Sequence, residues 1–518
     1  MMNKTNLLNN TFLKPFNKLK KQQNYTVHKQ STNTHKDYLV TVISPVYNGE
    51  SFLKKSIQSV MDQTIGFQNI EYILVDDCST DRSKEILLEF QKKYENITVV
   101  LLDCNSGSPG LPRNVGVKLA TSPYITFLDS DDWLHPNGLQ VLYEISESTG
   151  DPYVVGRTIK VEKGGTKIIG EHQCCKERRS VSPLSIPHIF HHLGPTARMM
   201  RAAFIKEQQI EFPKMKFGED KQFFIDVLTN CKSISTTTKP IYYVNRLEET
   251  KNTRLTNQTN ILQKTNYNLQ VIHYILNREL DIEIEKMIVN RIYEYDLLRG
   301  LFTTPHFQNT KLKLLYYYLF KQIMRTTKKK FAYDFSERFF QPIHKVIYEL
   351  LREGKYRAVT KLLEWDKSKK VKEIVIKNQK PYIVTPFTEE KYKYISLPVH
   401  ITFKMHNCEG NMYKLHFQVY GESIHSITDI LIRDQKNAHN EYALPVDIKE
   451  NGEGFIQFNL DLLDRELPPA NYSIFVRYND YMRMNIRQQI KDEIKHRYKN
   501  RQFNIYRTNY SNLALKIN

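Results

Sequence analysis

Tyr124-Ile125-Thr126-Phe127-Leu128-Asp129-Ser130-Asp131-Asp132 decides how the first half of this chain reads. Its first five residues have the β-branched and aromatic character of a buried strand, and the strand ends in three carboxylates. The same unit recurs upstream. Residues 39–44, 70–75 and 97–102 read as strands, and helices are expected over 51–63, from a Ser79 or Thr80 cap along a face of Ile86, Leu87 and Phe90, and over about 113–120. Strands alternating with helices predict a parallel sheet covered on both faces, an α/β domain whose ligand sits in the loops at the strand C-terminal ends.

The remaining chain divides by pattern. At 518 residues it exceeds one ordinary core. Residues 1–36 are polar and basic, with Leu7, Leu8, Phe12, Leu13, Phe16 and Leu19 scattered beside Lys18, Lys20 and Lys21. They are expected to form a disordered extension, with a membrane-surface helix as the sharper alternative. The α/β domain is assigned to 37–262. A helical linker follows over 263–372, where Val271, Ile272, Ile275 and Leu276 and then Ile288, Ile292 and Tyr295 recur at helical spacing. Over 373–518 the period becomes two, as in Tyr413, Leu415, Phe417 and Val419, which predicts an antiparallel β-sandwich.

Four clusters in the α/β domain carry chemistry, each at a predicted strand end. Pro45-Val46-Tyr47-Asn48 offers a ring and backbone groups to flank a flat base. In Val75-Asp76-Asp77-Cys78-Ser79-Thr80-Asp81, Asp77 is placed to accept from a base imide and ribose hydroxyls, whereas Asp81 is better read as a helix-capping acid. The run from Asn105 to Asn114 contains glycines that let backbone approach a ligand, and Arg113 at a helix start can meet a phosphate or sugar. Asp129 and Asp131, two apart on extended backbone, can divide their work between ribose and a divalent cation, with Ser130 between them. Hard oxygen ligands suit Mg²⁺ or Mn²⁺, which neutralises charge on a departing diphosphate.

On these motifs, residues 41–132 resemble family 2 glycosyltransferases of the GT-A fold, a Rossmann-like nucleotide-sugar-binding domain. Gly194-Pro195-Thr196, Arg201, Phe212-Pro213 and Gly218-Glu219-Asp220-Lys221-Gln222 are further similar to the acceptor half of wall teichoic acid glycosyltransferases of Gram-positive bacteria. The resemblance implies that Asp131 ligates the metal, that Asp220 is the catalytic base, and that the C-terminal region forms a homo-oligomer, with a trimer as the family pattern; carbohydrate binding is the alternative role expected of that region. Inverting transfer needs such a base in any case, because one ionised carboxylate must take the proton of the attacking hydroxyl. Asp220 precedes the apolar helical face of Phe223, Phe224, Val227 and Leu228, and a helix N-terminus is expected to keep it ionised. Where relatives touch the diphosphate after the segment matching Ile241-Tyr242-Tyr243, this chain has Arg246, Lys251 and Arg254. A basic clamp is therefore expected there, drawn from Arg246 and Lys251. His191 and His192 are read as surface residues, with an acceptor-facing role as the alternative.

The resulting expectation is a metal-dependent inverting transferase that moves a sugar from a UDP-sugar, with UDP-GlcNAc as candidate donor, to wall teichoic acid or a related anionic envelope polymer. Assembly of a capsule or exopolysaccharide is the alternative within the same chemistry. The formal charge of +19 suits a polyanionic acceptor. A non-catalytic polyanion binder is a second class, disfavoured along with nucleic acid, because carboxylates at successive strand ends repel phosphate. Six cysteines without zinc or disulfide spacing, and no apolar run near ~20 residues, lead to an expected cytoplasmic location, with peripheral contact at the inner membrane face.

Overall fold

The computed structural model describes residues 24–30, 36–247, 260–328, 333–334, 336–368, 370–488 and 493–518. Lys251, Arg254 and most of the N-terminal extension lie outside them. The N-terminal domain is built on one mixed sheet of β1 (Tyr25–His28), β2 (Val40–Val46), β3 (Ile70–Asp76), β4 (Ile97–Leu102), β5 (Tyr124–Phe127), β6 (Trp133–Leu134), β7 (Tyr153–Glu162), β8 (Gly165–Ile169), β9 (Arg178–Val181), β10 (Arg198–Arg201) and β11 (Ile234–Asn245). Its order is β1-β4-β3-β2-β5-β10-β7-β11-β6, with β8 paired to β7 and β9 to β11.

Strands β4, β3, β2 and β5 are parallel, as their alternation with helices predicts. Neighbouring residues of these strands bury on opposite faces. Ile43, Ile73 and Val75 enter one apolar cluster, while Val42, Tyr72 and Leu74 enter another. Burial on both faces explains why the strands are continuously apolar. The expectation of a wholly parallel sheet is corrected beyond β5. There β10 runs antiparallel to both β5 and β7, and β6 antiparallel to β11. A second correction concerns the extension, since Tyr25–His28 pairs antiparallel with β4 and covers that sheet edge.

The helices expected to act as a linker are corrected too. Ile272, Ile275, Leu297, Leu301 and Phe302 share one continuous core with Phe127, Phe212, Phe223 and Phe224 of the first domain. Apolar faces on helices this short must be buried against something larger, and here that is the sheet and the helix Glu219–Asn230. Towards the C-terminus, the alternation of Met412–Tyr420 holds residue by residue, with every second side chain buried. The expected purely antiparallel arrangement is modified at one place. Ile401 pairs with Ile486 in a parallel register that joins two antiparallel halves into one sheet.

The C-terminal sheet docks on the first domain through buried charges. Glu171 accepts from Arg433 at 2.6 Å and 3.2 Å, and Arg157 pairs with Glu441 at 2.8 Å. Beside this junction His188 Nδ1 meets the Tyr481 hydroxyl at 2.8 Å, and the His191 ring packs on Tyr295 and Phe340. His191 and His192 are thus half-buried rather than exposed on the surface. Burial first, and then neighbouring histidines and Arg291, push His191 down to about 2; burial, Arg198 and Arg291 push His192 to about 3.

Unfolded histidine titrates near ~6.5, so below that pH the unfolded chain binds protons that the folded protein excludes. The stability that neutral His191 allows is present above this pH and is lost as pH falls. A His191→Phe variant should therefore gain stability relative to wild type as pH drops from ~7 to ~5, by up to about 1.4 kcal/mol per pH unit. Urea midpoints of the two proteins across that range check this, and a constant difference contradicts it.

Candidate active site

The loops at the C-terminal ends of β2, β3, β4, β5 and β11 meet in one place. Asn48, at φ 51°, accepts at its Oδ1 from the Thr80 amide (2.8 Å), and its own amide donates to Ser79 Oγ (3.0 Å). Pro45 remains inside β2, paired with Val75, while the Tyr47 ring stands 51% exposed at the mouth of the loop. Asp77 lies buried beneath, its amide bonded to the Val46 carbonyl (2.8 Å) and its carboxylate accepting from the Ser106 amide (2.7 Å) and hydroxyl (2.9 Å). Burial outweighs these bonds and pushes Asp77 up to about 6. Asn105 ties the two loops together by donating to the Asp77 carbonyl. Asp81 accepts from the Ser83 and Glu50 amides, which is the helix-opening role its position suggests.

The turn after β5 holds Asp129, Ser130, Asp131 and Asp132. Asp132 is buried and accepts from the Tyr242 hydroxyl (2.9 Å) and the Asn245 amide (2.7 Å), and the same hydroxyl receives the Asp129 amide at 3.0 Å. Tyr242 on β11 therefore fixes the turn from below, a role its place in an apolar run does not reveal. Ser130 packs toward the β2 loop, within 3.4 Å of the Cβ position of Gly49. Burial raises Asp132 well above the usual carboxylate range, and the nearby charges of Asp131 and Asp129 add to the shift. That concentration of negative field is what a divalent cation would relieve. Among the described residues no group of three or more His, Cys, Asp or Glu side chains is arranged to hold a metal ion by itself. The charge of Arg246 reaches this turn and lowers Asp132.

Arg113 is corrected from a free phosphate ligand to a buried bridge. It opens no helix, because the helix Gly110–Leu119 begins three residues earlier and carries Arg113 on its inner face. Its guanidinium meets Asp129 at 2.7 Å and Glu219 at 3.7 Å, and lies 5.3 Å from the Phe212 ring. Gly110 lets this helix press against the next element, since a Cβ there would lie 3.2 Å from Phe212 and 3.3 Å from Glu219.

Glu219 and Asp220 open the helix Glu219–Asn230 behind Gly218, which adopts φ 80°. The helix N-terminus expected to keep Asp220 ionised does not by itself set its proton affinity. Burial raises its proton affinity, and Lys221 and Arg113 only partly oppose the shift. Lys221 is itself held by the helical region, with Nζ at 2.7 Å from Asn268 Oδ1 and 3.0 Å from Asp296 Oδ1, and Asp296 is paired in turn with Arg291. Asn268 and Asp296 lie outside every strand-end motif, so nothing in their spacing points to the site.

Residues 41–208 match the model of glycosyl transferase family 2. A poly(ribitol-phosphate) β-glucosyltransferase of Bacillus spizizenii is 34% identical over 205 residues, which are 39% of this chain and 32% of that protein. The poly(ribitol-phosphate) β-N-acetylglucosaminyltransferase TarS of Staphylococcus aureus is 32% identical over 206 residues, 39% of this chain and 35% of that one. The chain thus spans about a third of the length of these curated relatives. A crystal structure of S. aureus TarS superposes with a TM-score of 0.55 at 18% identity, covering 93% of this chain and 85% of that one. A shorter TarS structure in complex with UDP-GlcNAc gives 0.53 at 22% identity, covering 69% and 99%. The resemblance to family 2 glycosyltransferases, and among them to teichoic acid enzymes, holds. The N-terminal unit has a fold of GT-A type with a mixed sheet, and its residues 41–208 are those that match glycosyl transferase family 2.

Glu219 yields a direct check on this geometry. Burial first, then Asp220, pushes it up to about 7, against the pull of Arg113. Between the unfolded value and ~7 the folded protein holds a proton that the unfolded chain has lost, so this group's contribution declines as pH rises through that window. A Glu219→Gln variant should gain stability relative to wild type from pH ~5 to ~8, read by thermal melts in matched buffers. A flat difference would remove the buried Glu219 carboxyl from the account.

Proposed function

We propose that the chain transfers a hexose from a UDP-sugar to a poly(alditol-phosphate) of the teichoic acid type, by a single inverting displacement. The observation that carries the reading is the bridge of Arg113 between Asp129 in the strand-end turn and Glu219 beside Asp220. It ties a turn suited to an activated sugar to a helix start suited to a base. Glucose and N-acetylglucosamine are the candidate sugars, because the two curated relatives are named for them. Their names specify β-linked products, which one displacement yields from an α-linked donor.

In this reading Tyr47 flanks the base, and Asn48, Asp77 and Asn105 shape the uridine pocket. Their mutual hydrogen bonds preset it before a ligand arrives. Asp129, Ser130 and Asp131 face the ribose and diphosphate. Asp131 would hold Mn²⁺ or Mg²⁺, with the remaining oxygen ligands supplied by the diphosphate and water, and the ion would offset charge on the leaving UDP. Arg246 would add a second positive charge, with Lys251 a further candidate for that clamp. Asp220 takes the proton from the acceptor hydroxyl. A proton affinity raised by burial serves this step, because a base titrating nearer the working pH accepts a proton with less penalty. The charge of +19 matches a polyphosphate acceptor.

Capsule or exopolysaccharide assembly uses the same donor chemistry, and acceptor profiling separates it. UDP release should require poly(ribitol phosphate) or poly(glycerol phosphate), and release with lipid-linked sugars alone would favour the alternative. Asp220→Asn should lower transfer by roughly 10²–10⁴-fold while leaving UDP-sugar affinity unchanged. Asp131→Asn should weaken metal-dependent donor binding instead, read by calorimetry with and without Mn²⁺. Full turnover by Asp220→Asn overturns the base assignment.

A further inference from the structure

The helix Lys313–Lys328 buries Tyr316, Tyr317, Phe320 and Ile323 in the main core, yet its opposite face is not wholly polar. Leu312 is 67% exposed and Leu314 73%, with Leu315 and Tyr318 also exposed. Leu314, Tyr318, Lys321 and Arg325 recur three or four residues apart, so they lie along one outward ridge, with Lys311 just before the helix. Isolated exposed leucines need no explanation, but a contiguous group rimmed by one sign of charge does. No Asp or Glu stands between Asp296 and Asp334 in the sequence, and of the described side chains in that stretch Arg299, Lys311, Lys313, Lys321 and Arg325 are basic.

We infer that this ridge is a contact surface for an anionic lipid bilayer, with Leu312, Leu314, Leu315 and Tyr318 entering the headgroup boundary and the surrounding lysines and arginines meeting lipid phosphates. The two halves of the surface select this partner together. A polyphosphate chain satisfies the cations but offers no apolar body to the leucines. A second copy of the chain satisfies the leucines but sets one basic ridge against another. A bilayer with acidic headgroups supplies both at the depth where an interfacial helix lies. Among the described residues no helix is long and apolar enough to cross a membrane, so the contact is one of lying on the surface.

The full chain should co-sediment with vesicles of phosphatidylcholine containing phosphatidylglycerol, bind vesicles of phosphatidylcholine alone far more weakly, and be released as salt is raised. Lys321→Gln with Arg325→Gln should reduce partitioning at least roughly tenfold. Leu314→Ser with Leu315→Ser should reduce it by a similar factor while leaving melting temperature and UDP release unchanged, since these side chains support no part of the core. Three results would overturn the inference. The first is a wild-type chain that stays in solution with the acidic vesicles. The second is a leucine variant that binds as well as wild type, which reduces the ridge to a general polyanion patch. The third is a leucine variant that abolishes a concentration-dependent association in sedimentation velocity, which assigns the ridge to a second copy. The salt dependence of the wild-type chain tests the electrostatic half without any substitution.

Discussion

Arg113 is the point on which the site turns. Its guanidinium is buried between Asp129, in the turn after β5, and Glu219, at the start of the helix that carries Asp220. A buried cation is costly unless its partners hold their geometry, and leaving one charge unpaired typically costs about 3–5 kcal/mol. The pairing therefore constrains both halves at once. The turn cannot move away from the helix without stranding a charge, and the rings of Phe127 and Phe212 close off water on the remaining side.

A second layer of support comes from β11 and the helical region. Tyr242 uses one hydroxyl to hold two positions of the acidic turn, and Asn245 supplies an amide to the same Asp132. On the far side, Asn268 and Asp296 fix Lys221, whose charge lies beside Asp220. The helical region thus braces the start of the helix that carries Asp220, and it shares a core with the sheet. Preorganisation of this kind lets buried carboxylates that repel one another stay together, a field that a bound cation and a diphosphate would complete.

The C-terminal sheet is tied to the first domain by buried charges, with ring contacts beside them. Glu171 is held below the usual carboxylate range despite its burial, because Arg433 and Arg483 both reach it. The neighbouring neutral histidines add bulk without charge so long as they remain unprotonated. The outward ridge at Leu314 and Tyr318 lies on the helical region, which is also the part that reaches Lys221.

The sequence by itself was enough to determine the four parallel strands, the loops that follow them and the identity of the acidic turn. Those features depend on local periodicity and on which residue types end a strand. Asp77, Asn105, Asp129 and Asp131 could be located because each follows a strand whose apolar run is plain in the sequence. Tertiary structure alone decided the rest. Arg113 looked free because its partners, Asp129 and Glu219, come from separate parts of the chain, and burial between them is a property of packing, not of spacing. His191 and His192 looked exposed because a histidine pair in a loop carries no signal of what will cover it. The antiparallel half of the sheet, the shared core of the helices, and the hold of Asp296 on Lys221 arise from contacts between distant segments, and no local pattern encodes which segments will meet.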